Sequence, residues 1–172
     1  MKLLRVIPAI LGLVSAAGGL QAAESANSGR TVVIFDHPEK FTDVRDRDYP
    51  SDAGEAGILG ELKRYIVYDA SSRLPAGDTL TITFTDIKLA GDFEPWHGPL
   101  QSDIRYIRDI YPPAYKFSYV VTDAAGNTVK KGAVDFRDLD FNLRLTIDNG
   151  DPLHYEKAYL DEWIRSVTHD LK

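Results

Sequence analysis

The densest group of side chains that could carry chemistry lies in the segment Gly91–Gly98. Its polar and aromatic members are Asp92, Glu94, Trp96 and His97. Two carboxylates and an imidazole can serve as general acid and base or as metal ligands, and an indole offers a flat surface for binding. The alternative is a polar loop in which Phe93 and Trp96 cover the end of the core. We favour the loop, because nothing in the sequence fixes the geometry that catalysis requires.

If this segment binds a partner, two arginines further along the chain belong to the same surface. The candidate binding surface comprises Phe93, Trp96, His97, Arg105 and Arg108. No residue is assigned a catalytic role. A hydrolase that uses Asp92, Glu94 and His97 remains the alternative, and it requires a pocket where two titratable groups reach one point.

A second acidic group could bind calcium, which prefers several oxygen ligands at short spacing. It comprises Asp43, Asp46, Asp48 and Asp52. The pattern lacks the glycine and the final glutamate of an EF-hand loop, and Arg45 and Arg47 interrupt it. A solvated loop is therefore favoured, and the sequence predicts neither a metal site nor a cofactor.

Two acidic residues fall on the apolar faces of predicted helices. Glu156 lies between Leu160 and Trp163 on a helical projection, and a buried carboxylate must find a partner or take up a proton. We expect an ion pair with Arg105 or Arg108. Asp69 interrupts the first helix in the same way, and Arg73, one turn further on, is its expected partner.

Several chemistries are excluded or lack a motif. The chain has no cysteine, which excludes a thiol nucleophile, a disulfide and a cysteine-ligated metal. It also lacks the serine nucleophile elbow, the phosphate-binding glycine loops and the zinc-binding His-Glu-x-x-His motif.

The segments around these residues predict an α+β domain. Apolar and β-branched patterns predict strands at 31–35, 79–90, 104–110, 114–122, 128–136 and 141–147. A change of phase within 79–90 indicates either a β-bulge near Thr85 and Asp86 or a change of the buried face. Helical periodicity predicts a first helix from about Ile58, with capping-box spacing at Asp52, and a last helix over 152–171 capped by Asp151. We expect a mostly antiparallel sheet of four to five strands with both helices packed on one face.

The N-terminus has the pattern of a secretory signal peptide. Lys2 and Arg5 precede an apolar run of about 15 residues, and cleavage is expected after Ala22 or Ala23. The run is shorter than the roughly 20 residues that span a membrane, so cleaved export is favoured over a retained anchor. The sequence thus predicts a signal peptide over 1–22, a flexible leader over 23–30 and a single domain over 31–172.

The net charge limits the class of partner. The full chain carries a formal charge of −6 and the chain without residues 1–22 a charge of −8. An acidic domain without clusters of lysine and arginine lacks the electrostatic pattern of a nucleic-acid binder and of a protein that attaches to anionic lipid.

Several separated motifs resemble one protein family. They are Phe41–Asp43, Leu89–Gly91, Glu94–Trp96, Asp103–Arg105, Arg108–Asp109 and Asp151–Lys157, the last followed by Leu160, Asp161 and Trp163. Together they resemble an exported family of Gram-negative bacteria known as domain of unknown function 3016, over about residues 31–167. The resemblance implies a periplasmic location and no known activity or cofactor. Our first hypothesis is a non-catalytic binding module of the cell envelope, whose partner is another envelope protein or a small ligand.

Overall fold

A computed structural model describes residues 29–46, 51–98, 101–144 and 150–171. The predicted signal peptide and all of the leader before Gly29 lie outside these residues. Arg30, at the end of that leader, donates hydrogen bonds to the carbonyl oxygens of Leu74 and Pro75 at 3.0 and 2.7 Å. Residue 30 is thus hydrogen-bonded to the loop after α1.

The described elements alternate in the order expected of an α+β domain. In chain order they are β1 (Thr31–Phe35), α1 (Asp52–Arg73), β2 (Thr79–Lys88), β3 (Asp92–Phe93), β4 (Arg105–Tyr106), β5 (Ala114–Thr122), β6 (Thr128–Arg137) and α2 (His154–Thr168). The main sheet has the order β1-β2-β5-β6, and β3 and β4 form a separate pair. Only β1 and β2 run parallel within these described sheets, joined through α1, so the predicted fold class is confirmed.

The core lies between the main sheet and the two helices. Alternate residues of β2, such as Leu80, Ile82 and Phe84, are buried, and the register places Val121 and Phe117 of β5 beside them. Trp163 of α2 contacts the Phe117 ring edge-on at a centroid distance of 4.7 Å. Burying side chains of this size contributes about 1.5–3 kcal/mol each, which favours packing both helices on one face.

The strand pattern also places a β-bulge where the alternation changes phase. The register of β2 against β5 shifts between Phe84 and Asp86, so that Ile87 returns to the buried face. The bulge predicted near Thr85 is confirmed.

The first helix begins earlier than the sequence predicted. It begins at Asp52 rather than near Ile58, and its N-cap is Ser51, whose hydroxyl accepts a hydrogen bond from the Gly54 N–H at 3.2 Å. The predicted capping role of Asp52 is therefore wrong by one residue. Each glycine costs a helix about 1 kcal/mol relative to alanine, but the cap and the burial of Ile58 and Leu59 offset this cost.

Strands β2 and β6 end within two residues of their predicted ends, and three other predicted elements differ more. The strand expected over 104–110 is only the two residues of β4, and Phe141–Leu143 forms a 3₁₀ turn rather than a strand. The rest of that second segment, residues 145–149, lies outside the described residues. The last helix spans His154–Thr168 with Leu153 at the N-cap, so Asp151 is not its cap. Instead, the Asp151 carboxylate accepts the Leu153 N–H at 2.9 Å, just before the helix.

Within the ranges given above, no helix has the length and apolar character needed to cross a membrane.

Candidate functional site

The predicted surface residues lie in one excursion of the chain between β2 and β5. We call residues 91–98 and 101–111 the β3–β4 unit. In this unit Asp92 pairs with Tyr106 and Phe93 pairs with Arg105. Gly91 begins it with φ +80°, and a Cβ at this position would lie 2.7 Å from the Tyr106 carbonyl oxygen. Only glycine allows the two segments to approach this closely.

Glu94 is the centre of the unit and is only 2% exposed. Its Oε2 lies 2.7 Å from His97 Nε2 and accepts a hydrogen bond from Arg108 Nη2 at 2.8 Å. Its Oε1 accepts a hydrogen bond from the Tyr111 hydroxyl at 3.0 Å. Burial alone would raise the pKa of Glu94, but the bonds from His97 and Tyr111 and the charge of Arg108 outweigh it and lower this pKa.

The predicted acid–base cluster is therefore only partly assembled. Glu94 and His97 meet, as their spacing of three residues allows. Asp92 lies elsewhere, with its carboxylate oxygens 3.8 Å from Arg45 Nη2 and 3.8 Å from Lys88 Nζ. Because Glu94 is enclosed by donors and its pKa is lowered, the cluster is suited to holding the loop together rather than to delivering a proton.

Arg105 fastens the unit to the rest of the domain. Its Nη1 and Nη2 donate to the two carboxylate oxygens of Asp43 at 2.9 and 3.0 Å, and both side chains are less than one-tenth exposed. Further bonds reach the carbonyl oxygens of Gly91 and Arg45 at 3.2 and 3.0 Å. Burial raises the pKa of Asp43, but Arg105 outweighs this effect, and the pKa is lowered.

These contacts correct the predicted ion pair of Glu156. Arg105 bonds to Asp43 and Arg108 bonds to Glu94, so neither arginine is the partner of Glu156.

Asp43 reaches Arg105 because it forms an isolated β-bridge with Lys88 at the end of β2. The two residues are 62 positions apart, and no local sequence pattern indicates their contact.

Glu156 is buried with only part of its hydrogen-bonding capacity used. Its Oε1 accepts the backbone N–H of Ala90 at 2.7 Å, which ties the start of α2 to the loop after β2. Its Oε2 has no hydrogen-bond partner among the residues described. Burial is the largest influence on this carboxyl and raises its pKa, with Ala90 opposing the shift.

The exposed part of the unit combines large apolar side chains with charged ones such as Asp103, Arg108 and Asp109. Trp96 is 69% exposed, and its ring lies 6.1 Å from the His97 ring, which in turn lies 5.1 Å from the Tyr106 ring. The unit also exposes the large aliphatic residues Ile104, Ile107 and Ile110. Of the predicted surface, Trp96, His97 and Arg108 thus line the outside of the unit.

The other two predicted residues lie further in. Phe93 is half-buried, and the guanidinium carbons of Arg45 and Arg105 lie 4.5 and 4.6 Å from its ring centroid. Cation–π contact of this kind fixes the arginine side chains against the unit.

A cavity of about 360 Å³ lies where the unit meets the start of α2. Its lining combines apolar side chains with charged and polar ones: Arg45, Ile58, Leu89, Ala90, Arg105, Ile107 and residues 150–156. Sequence reasoning missed the roles of Arg45 and His154 here, because the cavity is assembled from segments that are distant in the chain.

The remaining predicted charges have structural partners. Arg73 bonds to Asp69 at 2.8 Å, as its helical spacing predicts, and also to Asp161 of α2 at 2.7 Å. In the acidic segment considered as a calcium loop, Asp43 is bound to Arg105, and Asp48 lies outside the described residues. Where the structure describes the chain, it contains no group of three or more acidic, histidine or cysteine side chains placed to hold a metal ion.

The fold and these contacts define a small α+β domain with a braced accessory unit and an adjoining cavity. The chain belongs to a family of proteins of unknown function, DUF3016, whose model matches residues 29–166. The resemblance inferred from the separated motifs is therefore confirmed. No curated protein and no solved structure matches the chain.

Proposed function

We propose that this protein is a non-catalytic binding module of the bacterial cell envelope, located in the periplasm, and that the β3–β4 unit contacts another envelope protein. The observation that carries the proposal is the exposure of Trp96 together with Ile104, Ile107 and Ile110 on one short unit. Grouped apolar side chains on a rigid support are typical of protein-binding surfaces.

The internal contacts of the unit support this role. Glu94 holds the Pro95–His97 turn to Arg108 and Tyr111, and Arg105 fixes β4 to Asp43. The exposed side chains are therefore presented by a backbone that is already ordered. A preorganised surface loses less conformational entropy when it binds.

The hydrolase alternative has no specific geometrical support. Glu94 is enclosed by three donors, and Asp92 faces Arg45 and Lys88 rather than His97. Glu94 and His97 meet, but Asp92 does not join them, so the three residues named for the hydrolase do not converge on one point.

Crosslinking inside the intact envelope tests the proposal. A photoreactive amino acid is placed at Trp96 or Ile110, and matched controls carry it at Tyr68 of α1 and Val129 of β6, which are also exposed. We expect one discrete adduct with a different protein from the first two positions and none from the controls. Equal adducts from all four positions, no adduct, or an adduct with a second copy of the chain would contradict the proposed partner.

The location is tested separately. The protein recovered from the periplasmic fraction should begin at Ala23 or Glu24 when its N-terminus is measured by mass spectrometry. Recovery of the chain beginning at Met1, in the cytosol or fixed in the membrane, would overturn the proposed export.

A further inference from the structure

The cavity between the β3–β4 unit and α2 has the size of a small-molecule site. Its volume of about 360 Å³ falls at the lower end of the range of roughly 300–1,000 Å³ for ligand pockets. Ile58, Leu89 and Leu153 provide apolar walls, and a few polar side chains lie among them. In ligand pockets such polar groups fix the orientation of a largely apolar molecule. A ligand of this site would therefore be small, with an apolar body and a polar end.

The charges on one side of the cavity leave a single positive charge unmatched. Arg105 and Arg45 of the wall both bond to Asp43, at 2.9 and 3.2 Å. Arg45 and Lys88 both contact Asp92 at 3.8 Å. Three basic side chains thus meet two carboxylates on this side.

The charges on the other side cancel that excess. Asp151 of the wall bonds to Lys157 at 2.7 Å, and the same ammonium group also bonds to Glu61. Two carboxylates here meet one basic side chain, so the ion pairs around the cavity sum to zero charge. Taking a charged ligand out of water is costly unless an unmatched opposite charge receives it. The balance therefore favours a neutral ligand.

Two side chains of the wall supply complementary hydrogen-bonding groups. Arg45 bonds to Asp43 through Nε, and within the described chain the 3.8 Å contact with Asp92 is the only polar contact of its terminal nitrogens, which can therefore donate. His154 Nδ1 lies 2.7 Å from the carbonyl oxygen of Asp151, which can only accept. Nδ1 of the neutral ring thus carries the proton, and Nε2 is an acceptor. The wall offers a ligand both a donor and an acceptor.

Glu156 is a third polar group of the wall. It is 1% exposed, and although its Oε1 accepts the Ala90 N–H, its Oε2 lacks a partner in the described part of the chain. Burial raises the pKa of this carboxyl and thereby favours its neutral form, which adds no charge to the cavity. Buried polar groups in proteins are rarely left unsatisfied, and a bound molecule can supply the missing bond.

We propose that this cavity binds a small neutral carboxamide, whose carbonyl oxygen accepts from Arg45 and whose amide N–H donates to Nε2 of His154. A primary amide places one acceptor and two donors on an uncharged group, so it can also bond to Glu156. Its apolar body lies against the aliphatic wall. The site is distinct from the exposed face proposed for a protein partner, although Ile107 borders both.

A titration followed by the backbone amide signals in NMR tests this assignment. The probes are benzamide and hexanamide, with benzoate and benzylamine as charged controls. We expect both amides to bind at least roughly tenfold more tightly than the charged controls, with the largest shifts at Ala90, Leu153 and Glu156. Binding of either charged control as tightly as benzamide would overturn the proposal. So would the absence of shifts at these residues with benzamide at about 10 mM.

A fifth probe tests the amide group itself. N,N-dimethylbenzamide keeps the carbonyl oxygen and has no N–H to donate to His154. It should bind at least roughly fivefold more weakly than benzamide, because one hydrogen bond is lost. Equal binding of the two amides would contradict the proposed contact with His154.

Variants of the two hydrogen-bonding residues locate the ligand. His154→Phe keeps an aromatic ring without the acceptor and should weaken benzamide binding by roughly fivefold. The same exchange at His169, whose side chain is 83% exposed and outside the cavity, should leave binding unchanged. Arg45→Met should weaken binding by roughly tenfold, because a charged donor is lost. Unchanged binding in either cavity variant would overturn the hydrogen bond assigned to that residue.

Glu156→Gln tests whether the site takes a neutral ligand. The amide keeps an acceptor for Ala90 and presents a donor in place of the protonated oxygen. Benzamide should bind to this variant within about twofold of its affinity for the wild type. A loss of tenfold or more would show that the ligand needs an ionised carboxylate, which would contradict the choice of a neutral molecule.

One further variant separates this site from the proposed protein interface. Trp96→Ala should abolish the envelope crosslink from Ile110 and leave benzamide binding intact, because Trp96 does not line the cavity. Equal weakening of benzamide binding in Trp96→Ala and Arg45→Met would contradict the placement of the ligand in the cavity.

Discussion

The β3–β4 unit and the start of α2 each bury one glutamate, and the two carboxyls have opposite electrostatic surroundings. Glu94 receives hydrogen bonds from three side chains, two of which can carry positive charge, and its pKa is lowered. Glu156 receives one backbone N–H from another element, and its pKa is raised. At Glu94 the side-chain donors and the charge of Arg108 prevail and lower the pKa, whereas at Glu156 burial prevails and raises it.

The two regions also differ in how their contacts arise. All partners of Glu94 lie within 17 positions of it, so the unit can form its own polar cluster. Glu156 meets Ala90 across 66 positions, and only the packed domain creates its environment. The contacts of Glu94 thus stabilise a local segment, whereas the contact of Glu156 depends on the assembled fold.

The largest expected effect comes from removing Arg105, which fastens the β3–β4 unit to Asp43. Arg105→Met removes the two shortest bonds to the buried Asp43 carboxylate and leaves it only the bonds from Arg45. Loss of one member of a buried ion pair costs about 3–5 kcal/mol. Urea unfolding should show this loss as a lower midpoint. The double variant Asp43→Asn with Arg105→Met should recover part of it, and a loss below about 1 kcal/mol in the single variant would contradict a buried pair.

A smaller loss is expected for Glu94→Gln at neutral pH. The lowered folded-state pKa means that the carboxylate stabilises the fold above its ordinary value of 4.5, and that this stability is lost as the pH falls through the folded pKa. The difference between wild type and variant should therefore shrink in urea titrations as the pH falls from about 7 to 3. Asp135→Asn, a change at an exposed carboxylate of β6, should show no such trend.

Glu156→Gln should behave with the opposite sign. Its raised folded-state pKa means that the wild-type fold loses stability as the pH rises between 4.5 and the folded value, because the buried carboxyl resists ionisation. The amide does not ionise and still accepts the Ala90 N–H. The variant should gain stability relative to wild type as the pH rises. A relative loss in the same titration would mean that Glu156 is stabilised as an anion.

The smallest expected effect on stability is that of Trp96→Ala. The side chain is mostly exposed, and exposed substitutions usually change the free energy of unfolding by less than about 0.5 kcal/mol. Thermal and urea unfolding should be close to wild type. A loss above about 2 kcal/mol would show that Trp96 supports the unit from within and would weaken its proposed role at an interface.

Strands with a clear period were predictable from the sequence. The alternation in β5 gave Ala114–Thr122 with both bounds correct, and the change of phase in β2 located the bulge. The start of α1 was not predictable from glycine content alone, because burial of Ile58 and Leu59 further along outweighs the helix penalty. The strand predicted over 104–110 was too long because Ile104, Ile107 and Ile110, which flank β4, are exposed rather than packed.

The candidate site was predictable only where its contacts are local. The spacing of Glu94 and His97, and of Asp69 and Arg73, is sufficient to bring each pair together. The pairing of Asp43 with Arg105 depends on where residues 41–46 cross the end of β2, and the sequence contains no periodic signal for that crossing. The cavity could not be predicted either, because its lining comes from segments that are distant in the sequence.

The pairing of Lys88 with Ala114 at the ends of β2 and β5 shows that everything from residue 89 to residue 113 is, topologically, an enlarged hairpin connection. A connection of this kind can change in length and chemistry while the two strands that it joins keep their register. Substitutions in residues 89–113 can therefore change this surface while the helices and strands beneath it keep their packing.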